Sequence, residues 1–285
     1  MAIKLIYITN NEAVASIAQD SGVDWICIDL EVRGKAARQG HLNTVQSDHS
    51  VEDVRRLRPL LHSSELLVRV NPPYKGTGLE VEQVIAAGAD IVMLPYFKEK
   101  QEVENFIACV DGKSKTCLLL ETPEAAANID SILSVPGIDS IHIGLNDLHL
   151  ACGMSFMFEL LADGTVERLC QKIGAKQIPY GFGGMGRIGE LQPPAEAILA
   201  EHYRLGSNMV ILSRSFCNAA EIKDPGQIRE IFDTGVKKIR ACEAGLQEKD
   251  NTFFESNREY VRERIIAVAD TLREKLMPGN ERTSL

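Results

Sequence analysis

Short, nearly unbroken apolar runs alternate along this chain with segments whose apolar residues recur every three or four positions. The runs fall at residues 3–8 (IKLIYI), 25–30 (WICIDL), 66–70 (LLVRV), 91–95 (IVMLP), 116–121 (TCLLLE), 140–144 (SIHIG), 179–183 (PYGFG) and 208–213 (NMVILS). Each has the length of a strand and is too short for a typical helix. Successive apolar positions predict strands buried on both faces, the condition of a parallel sheet. Helical periodicity predicts helices over 11–21, 51–61, 78–87, 99–110, 123–134, 157–175, 194–204 and 224–246. Eight alternations of strand and helix mark an α/β chain and point to a (β/α)8 TIM barrel, with an open doubly wound sheet as the alternative. No GxGxxG follows the first run, which argues against a dinucleotide site.

The connections are of two kinds. Those entering strands are tight and carry Gly where a helix ends: Ser21-Gly22-Val23-Asp24, Ala87-Gly88-Ala89-Asp90, Pro136-Gly137-Ile138-Asp139 and Gly206-Ser207. Those leaving strands are longer and more polar, notably 31–49, 145–156 and 184–193, and in a barrel they form the catalytic rim. Residues 1–246 read as one barrel domain. Residues 251–277 read as an additional C-terminal amphipathic helix, either packed on its own barrel or exchanged with a neighbouring subunit. Residues 278–285 read as a disordered tail.

Composition narrows the function classes. The 285 residues accommodate a barrel of ~250 residues plus that helix. The net charge of −9, with no run of Lys or Arg, offers no basic face, so no nucleic-acid partner is expected. No apolar stretch approaches the ~20 residues that span a bilayer, so no membrane partner is expected. Residues 1–8 lack a signal-peptide cleavage region and read as the first strand. Seven cysteines without a CxxC pair, two of them (Cys27 and Cys117) inside apolar runs, fit a reducing cytoplasm.

Candidate chemistry begins with Glu121 and Asp147. Each is expected to end a strand, Leu118-Leu119-Leu120-Glu121 and Ile143-Gly144-Leu145-Asn146-Asp147, and those strands are consecutive. Parallel neighbours lie ~4.8 Å apart, so both carboxylates would reach one hard cation, Mg2+ or Mn2+, with waters and a bidentate substrate completing the octahedron. No His or Cys cluster points to zinc. Asp29 and Glu31 close the second run and, two positions apart, share a face; they are candidate catalytic groups that orient water or a base. Arg69 stands in an apolar strand, where an unpaired charge is costly. It either meets a substrate carboxylate or developing enolate oxygen, or pairs with Glu31 or Glu121. The segment Gly181–Gly189 follows the seventh run, and the amides of Gly183 and Gly184 are candidates for holding a phosphate. Arg187 and Arg214 are secondary anion contacts. Backbone amides near Gly144 and Pro95 are candidate substrate donors. His142 alternates within a strand as a core residue, and His41 and His49 on the second rim loop stand second as proton carriers.

These residues, in this order, resemble the HpcH/HpaI aldolase and citrate lyase beta-subunit family. The matching pieces are Asp24–Glu31, Val68-Arg69-Val70-Asn71, Ala87–Pro95, Leu120-Glu121-Thr122 and Gly137–Leu148, and the likeness runs over roughly residues 3–215. The resemblance implies a (β/α)8 barrel, a divalent metal on Glu121 and Asp147, and substrate contact from Arg69. It also implies carbon–carbon cleavage or formation through an enolate, and a homo-oligomer that often exchanges its last helix. One departure stands out: Val32 occupies the place after Glu31 where the aldolase branch has a proton-transferring His and the citrate lyase-like branch usually has Asp. Arg33-Gly34-Lys35-Ala36-Ala37-Arg38 is similar to the Lys and Arg of the latter branch.

The expected activity is therefore a metal-dependent carbon–carbon lyase acting on a pyruvate- or oxaloacetate-like carboxylate, with an acyl-CoA as an alternative substrate. Two other readings stand beside it: a catalytically reduced binding or assembly subunit holding a metal–carboxylate ligand, and a phosphoenolpyruvate-using barrel.

Overall fold

The computed structural model describes residues 2–34 and 48–276. Eight parallel strands close into a barrel in chain order. They are β1 Lys4–Ile8, β2 Trp25–Asp29, β3 Glu65–Arg69, β4 Ile91–Leu94, β5 Lys115–Leu120, β6 Ser140–Ile143, β7 Tyr180–Met185 and β8 Met209–Leu212. The helices are α1 Glu12–Asp20, α2 Val51–Leu57, α3 Thr77–Ala86, α4 Lys100–Val110, α5 Pro123–Ala127, α6 Ile129–Ile132, α7 Leu145–Ala151, α8 Glu159–Ala162, α9 Thr165–Gly174, α10 Ala195–Arg204, α11 Pro225–Gln247 and α12 Asn251–Leu276.

Every apolar run becomes a strand because each strand is buried on both sides. Ile26, Val68, Val92, Leu118, Ile141 and Val210 pack outward against the helices in one large cluster. Cys27, Leu67, Met93, Cys117, Leu119 and Met209 fill the barrel interior in a second. Helix starts follow local chemistry. The Asn11 side chain accepts from the Val14 amide, and that of Thr122 from the Ala125 amide with Pro123 at the first helical position. Each such cap contributes about 1 kcal/mol.

The helix expected over 123–134 breaks at Asn128 into α5 and α6, and three further segments differ from the sequence expectation. The helix expected over 157–175 is divided into α8 and α9, because Gly164 takes φ +83° and ends the first turn. The rim stretch 145–156 contains α7, whose signals were the Leu145/Leu148 spacing and an acid in the first turn. The glycine-rich segment lies partly inside β7, whose pairing with β8 shifts register between Gly181 and Gly184. A Cβ on Gly181 would fall 2.0 Å from the Met209 carbonyl oxygen, so glycine is what lets these two strands close the barrel.

The last helix, α12, docks on α8 and α10 of its own barrel. It buries Val261, Ile265 and Ala269, and Asn257 donates to the Ala197 carbonyl at 3.0 Å and to Glu201 at 2.8 Å. Met277 and the tail 278–285 lie outside the described residues. No helix among the described residues is long and apolar enough to cross a membrane.

Candidate active site

The second and third strands set the first half of the site. Asp29 ends β2, Arg69 ends β3, and the two are register partners. Arg69 Nε donates to Asp29 Oδ1 at 2.8 Å and Nη2 donates to Oδ2 at 2.7 Å. Glu31 Oε2 lies 3.6 Å from Arg69 Nε. Burial opposes the arginine's charge, but Asp29, then Glu31 and Glu121, outweigh it and hold the guanidinium's pKa well above its ordinary value. Both carboxylates that alternation places on one face do converge. The pairing, however, is chiefly with Asp29 rather than with Glu31 or Glu121. A carboxylate engaged on both oxygens is a poor proton acceptor, so Asp29 serves to orient Arg69.

The loop beyond β2 is tied down by residues the sequence reading did not single out. Asn71 Oδ1 accepts from the amides of both Val32 and Arg33 at 3.0 Å, and Glu80 Oε1 holds the Asn71 side-chain amide at 2.7 Å. Val32 is 59% exposed. His49 Nδ1 accepts from the Asp29 amide at 3.0 Å. That bond assigns the neutral ring's proton to Nε2. His41, Lys35 and Arg38 lie outside the described residues.

The fifth and sixth strands set the second half. Glu121 follows β5 directly and is 3% exposed; Asp147 is 8% exposed. Asp147 does not end β6, which stops at Ile143; it sits in the first turn of α7. The helix N-terminus favours a carboxylate there. Gly144 makes the link, its amide donating to the Leu120 carbonyl at 2.9 Å. That amide is thereby committed to the sheet ladder and is not a substrate donor, and Pro95 has no N–H to offer. The nearby amide is that of Tyr96, which donates to Glu121 Oε1 at 3.1 Å. Tyr96 adopts φ +52°, a left-handed conformation that a non-glycine residue rarely takes. On the other side, a Cβ on Gly144 would fall 2.9 Å from Glu121 Oε2. Glu121 is thus confined between a strained backbone amide and a glycine.

Glu121 and Asp147 are nearly buried and offer hard oxygen donors, the donor type that suits Mg2+ or Mn2+. Among the described residues no group of three or more His, Cys, Asp or Glu gathers at one point. Water and substrate would therefore complete the shell, as they commonly do for Mg2+. Gly183 and Gly184 belong to β7, and the Gly183 carbonyl contacts His142.

A closed parallel barrel carrying acids and an ion-paired arginine at its strand ends defines a (β/α)8 protein with an enzyme-like rim. The chain belongs to the HpcH/HpaI aldolase/citrate lyase family, whose model matches residues 4–157. That region carries Asp29, Glu31, Arg69, Glu121 and Asp147. A 2-keto-3-deoxy-L-rhamnonate aldolase of Klebsiella pneumoniae is 27% identical over 172 residues, covering 49% of this chain and 58% of that protein. The Escherichia coli aldolase of the same name is 25% identical over 170 residues with the same coverage. The chain thus spans 58% of the length of these curated relatives. A crystal structure of a family protein from Burkholderia cenocepacia superposes with TM-score 0.62 at 14% identity, covering 80% of this chain and 95% of that one. A citrate synthase, SbnG, gives TM-score 0.60 at 16% identity, covering 77% and 89%. These structural likenesses establish the fold.

Proposed function

We propose that this protein is a divalent-metal-dependent carbon–carbon lyase of the aldolase type, acting on a 2-keto acid through an enolate. The reading rests on one observation above the rest: two nearly buried carboxylates follow adjacent strands while an arginine, locked by Asp29, ends a third. Family aldolases generally depend on a divalent metal. Mg2+ or Mn2+ held by Glu121 and Asp147 would supply Lewis acidity at the substrate's carboxylate and 2-keto oxygen.

The chain's own residues do the rest. Arg69 presents a fixed positive charge to the 2-keto oxygen as negative charge develops there, so it favours the transition state over the ground state. Asp29 holds the guanidinium plane by two hydrogen bonds. Gly144 lies beneath Glu121 and Pro95 precedes Tyr96, so both shape the substrate's wall rather than donate to it. Gly183 and Gly184 line it from β7. With Val32 in place of the usual His, Glu31 acts through an oriented water to take and return the proton of the departing alcohol. General acid–base help of this kind contributes roughly 10²–10⁴-fold. The substrate is a small carboxylate, pyruvate- or oxaloacetate-like or carried as an acyl-CoA, and the protein works as a cytoplasmic homo-oligomer.

Glu121→Gln and Asp147→Asn should each abolish Mn2+-dependent deuterium exchange at the pyruvate methyl group and weaken Mn2+ binding measured by calorimetry. Wild-type exchange in both variants would overturn the assignment. Val32, aliphatic and 59% exposed, favours one rival: a binding subunit with the same ligand. Tight binding of a keto acid with Mn2+, without exchange in the wild type, is its signature. The phosphoenolpyruvate reading gains no such support, because Gly183 and Gly184 are strand residues rather than loop amides.

A further inference from the structure

His142 stands on the inner wall of the barrel below the rim. Its chain neighbours Ile141 and Ile143 face the helices, while its register partner Leu119 faces the interior, so alternation turns His142 inward. Nε2 lies 3.0 Å from the Gly183 carbonyl oxygen. A carbonyl only accepts, so Nε2 carries the proton and Nδ1 carries a lone pair. Burial, reinforced by the charge of Arg69 and opposed by the Gly183 bond, pushes the ring's pKa down to about 4. The ring is therefore neutral near pH 7, and Nδ1 is an acceptor. His142 is 1% exposed, yet Nδ1 has no hydrogen-bond partner among the described residues. A buried acceptor left without a donor is unfavourable, and native structures rarely keep one.

The surroundings indicate where the donor would come from. The next position of that alternation, just past the end of β6, is Gly144, and on β7 the residues beyond the register partner Gly181 include Gly183 and Gly184, so no side chain from these positions covers the imidazole from the rim. The groups nearest those glycines are Glu121 and Leu119 beside Gly144, Leu145 and Phe158 beside Gly183, and the Ile211 carbonyl and Ser213 beside Gly184, none of them a cationic donor. Nδ1 is thus a buried acceptor below the rim acids, within the electrostatic reach of Arg69. A cationic donor would be repelled by Arg69, and a carboxylate would meet a lone pair. A neutral hydroxyl fits both constraints.

We propose that His142 Nδ1 accepts a hydrogen bond from a hydroxyl on the third carbon of the 2-keto acid, making a 3-hydroxy-2-keto acid the preferred nucleophile over pyruvate. This rests on the keto-acid reading given above, in which Arg69 faces the 2-keto oxygen. His142 then discriminates substrates without taking part in proton transfer.

The test compares hydroxypyruvate with pyruvate in wild type, His142→Phe and His142→Asn, with Mn2+ present, by calorimetric binding and by deuterium exchange at the third carbon. His142→Phe should lower the hydroxypyruvate-to-pyruvate ratio about tenfold or more, with pyruvate itself little changed. His142→Asn, whose amide can donate to Gly183 and accept at Oδ1, should keep the wild-type preference. Using the ratio cancels the different intrinsic acidities of the two keto acids. Equal losses for both substrates, as a purely structural role or a buried water would give, overturn the proposal; so does an unchanged ratio. If neither keto acid exchanges in the wild type, the lyase reading fails while the binding ratio still decides the role of His142. Should the Phe variant not fold, His142→Met carries the same comparison.

Discussion

Asp29→Asn tests the central ion pair. Asp29 and Arg69 have side chains 4% and 14% exposed and share two short hydrogen bonds. The asparagine keeps the shape but turns one acceptor into a donor facing Arg69 Nη2. Removing one partner of a buried pair typically costs 3–5 kcal/mol. Glu31 Oε2, 3.6 Å from Arg69 Nε, retains part of the compensation, so we take about 3 kcal/mol. For a chain of this size the unfolding entropy is roughly 0.6 kcal/mol/K, which converts the loss to a fall in Tm of about 5 °C. Exchange at the keto-acid methyl should fall in parallel, because Arg69 loses its fixed plane. Adding Arg69→Met to Asp29→Asn should recover stability, since no buried cation is then left uncompensated. The assays are thermal unfolding by circular dichroism and deuterium exchange by NMR. If Asp29 acted as a proton carrier, exchange would drop with Tm unchanged. Wild-type Tm in Asp29→Asn, or no recovery in the double variant, would refute the reasoning.

Acid should destabilise the fold before its carboxylates titrate. His142 and His202 are buried, and burial pushes their pKa values down to about 4 and about 3, with Arg69 and His142 respectively adding to the shift. Both are neutral when folded and take up a proton when unfolded below about pH 6.5, so their contribution is complete above that pH and is lost as pH falls toward the folded values. From pH 6.5 to 5 the loss is on the order of 2 kcal/mol per histidine; urea midpoints that do not move over this range would contradict it. Gly144→Ala brings a Cβ within 2.9 Å of Glu121 Oε2 and Cβ; calorimetry should show Mn2+ affinity reduced about tenfold or more, from about 1.4 kcal/mol of misplacement. Tyr96→Gly, at ease with φ +52°, should keep Mn2+ affinity and raise Tm, whereas Tyr96→Val should weaken both; equal affinities in the two variants would remove the role assigned to the Tyr96 amide. Ile265→Ala, at a fully buried position of α12, should cost about 2–4 kcal/mol in unfolding free energy.

Much of the barrel was legible because its signal is local. Residues 25–28 and 117–120 are apolar without interruption, and only a strand covered on both faces uses such a run. The tight glycine turns before β2, β4 and β6 marked which ends of the strands are the bottom, and so which loops form the rim. Asp29, Glu31, Arg69 and Glu121 were legible because a charge at the end of an apolar run is conspicuous. Asp147 was found at the right rim but in the wrong element: the run through Gly144 looks continuous with it, and the helix that carries it is only seven residues long.

Other features had no such signature. Nothing about tyrosine marks a left-handed backbone, and nothing about asparagine marks Asn71 as the anchor of Val32 and Arg33. Which acid Arg69 would grip depended on the parallel register that sets Asp29 beside it. The orphaned nitrogen of His142 depended on a bulge in β7 that aims one carbonyl at the other side of the ring. The order of apolar and polar residues by itself determined eight buried parallel strands alternating with helices and the set of charged groups at their ends, since burial periodicity is written along the chain; closure into a barrel rather than an open sheet was decided by the tertiary structure. The partnerships among those groups arise between segments up to tens of residues apart, and only strand register, backbone conformation and close packing decide them.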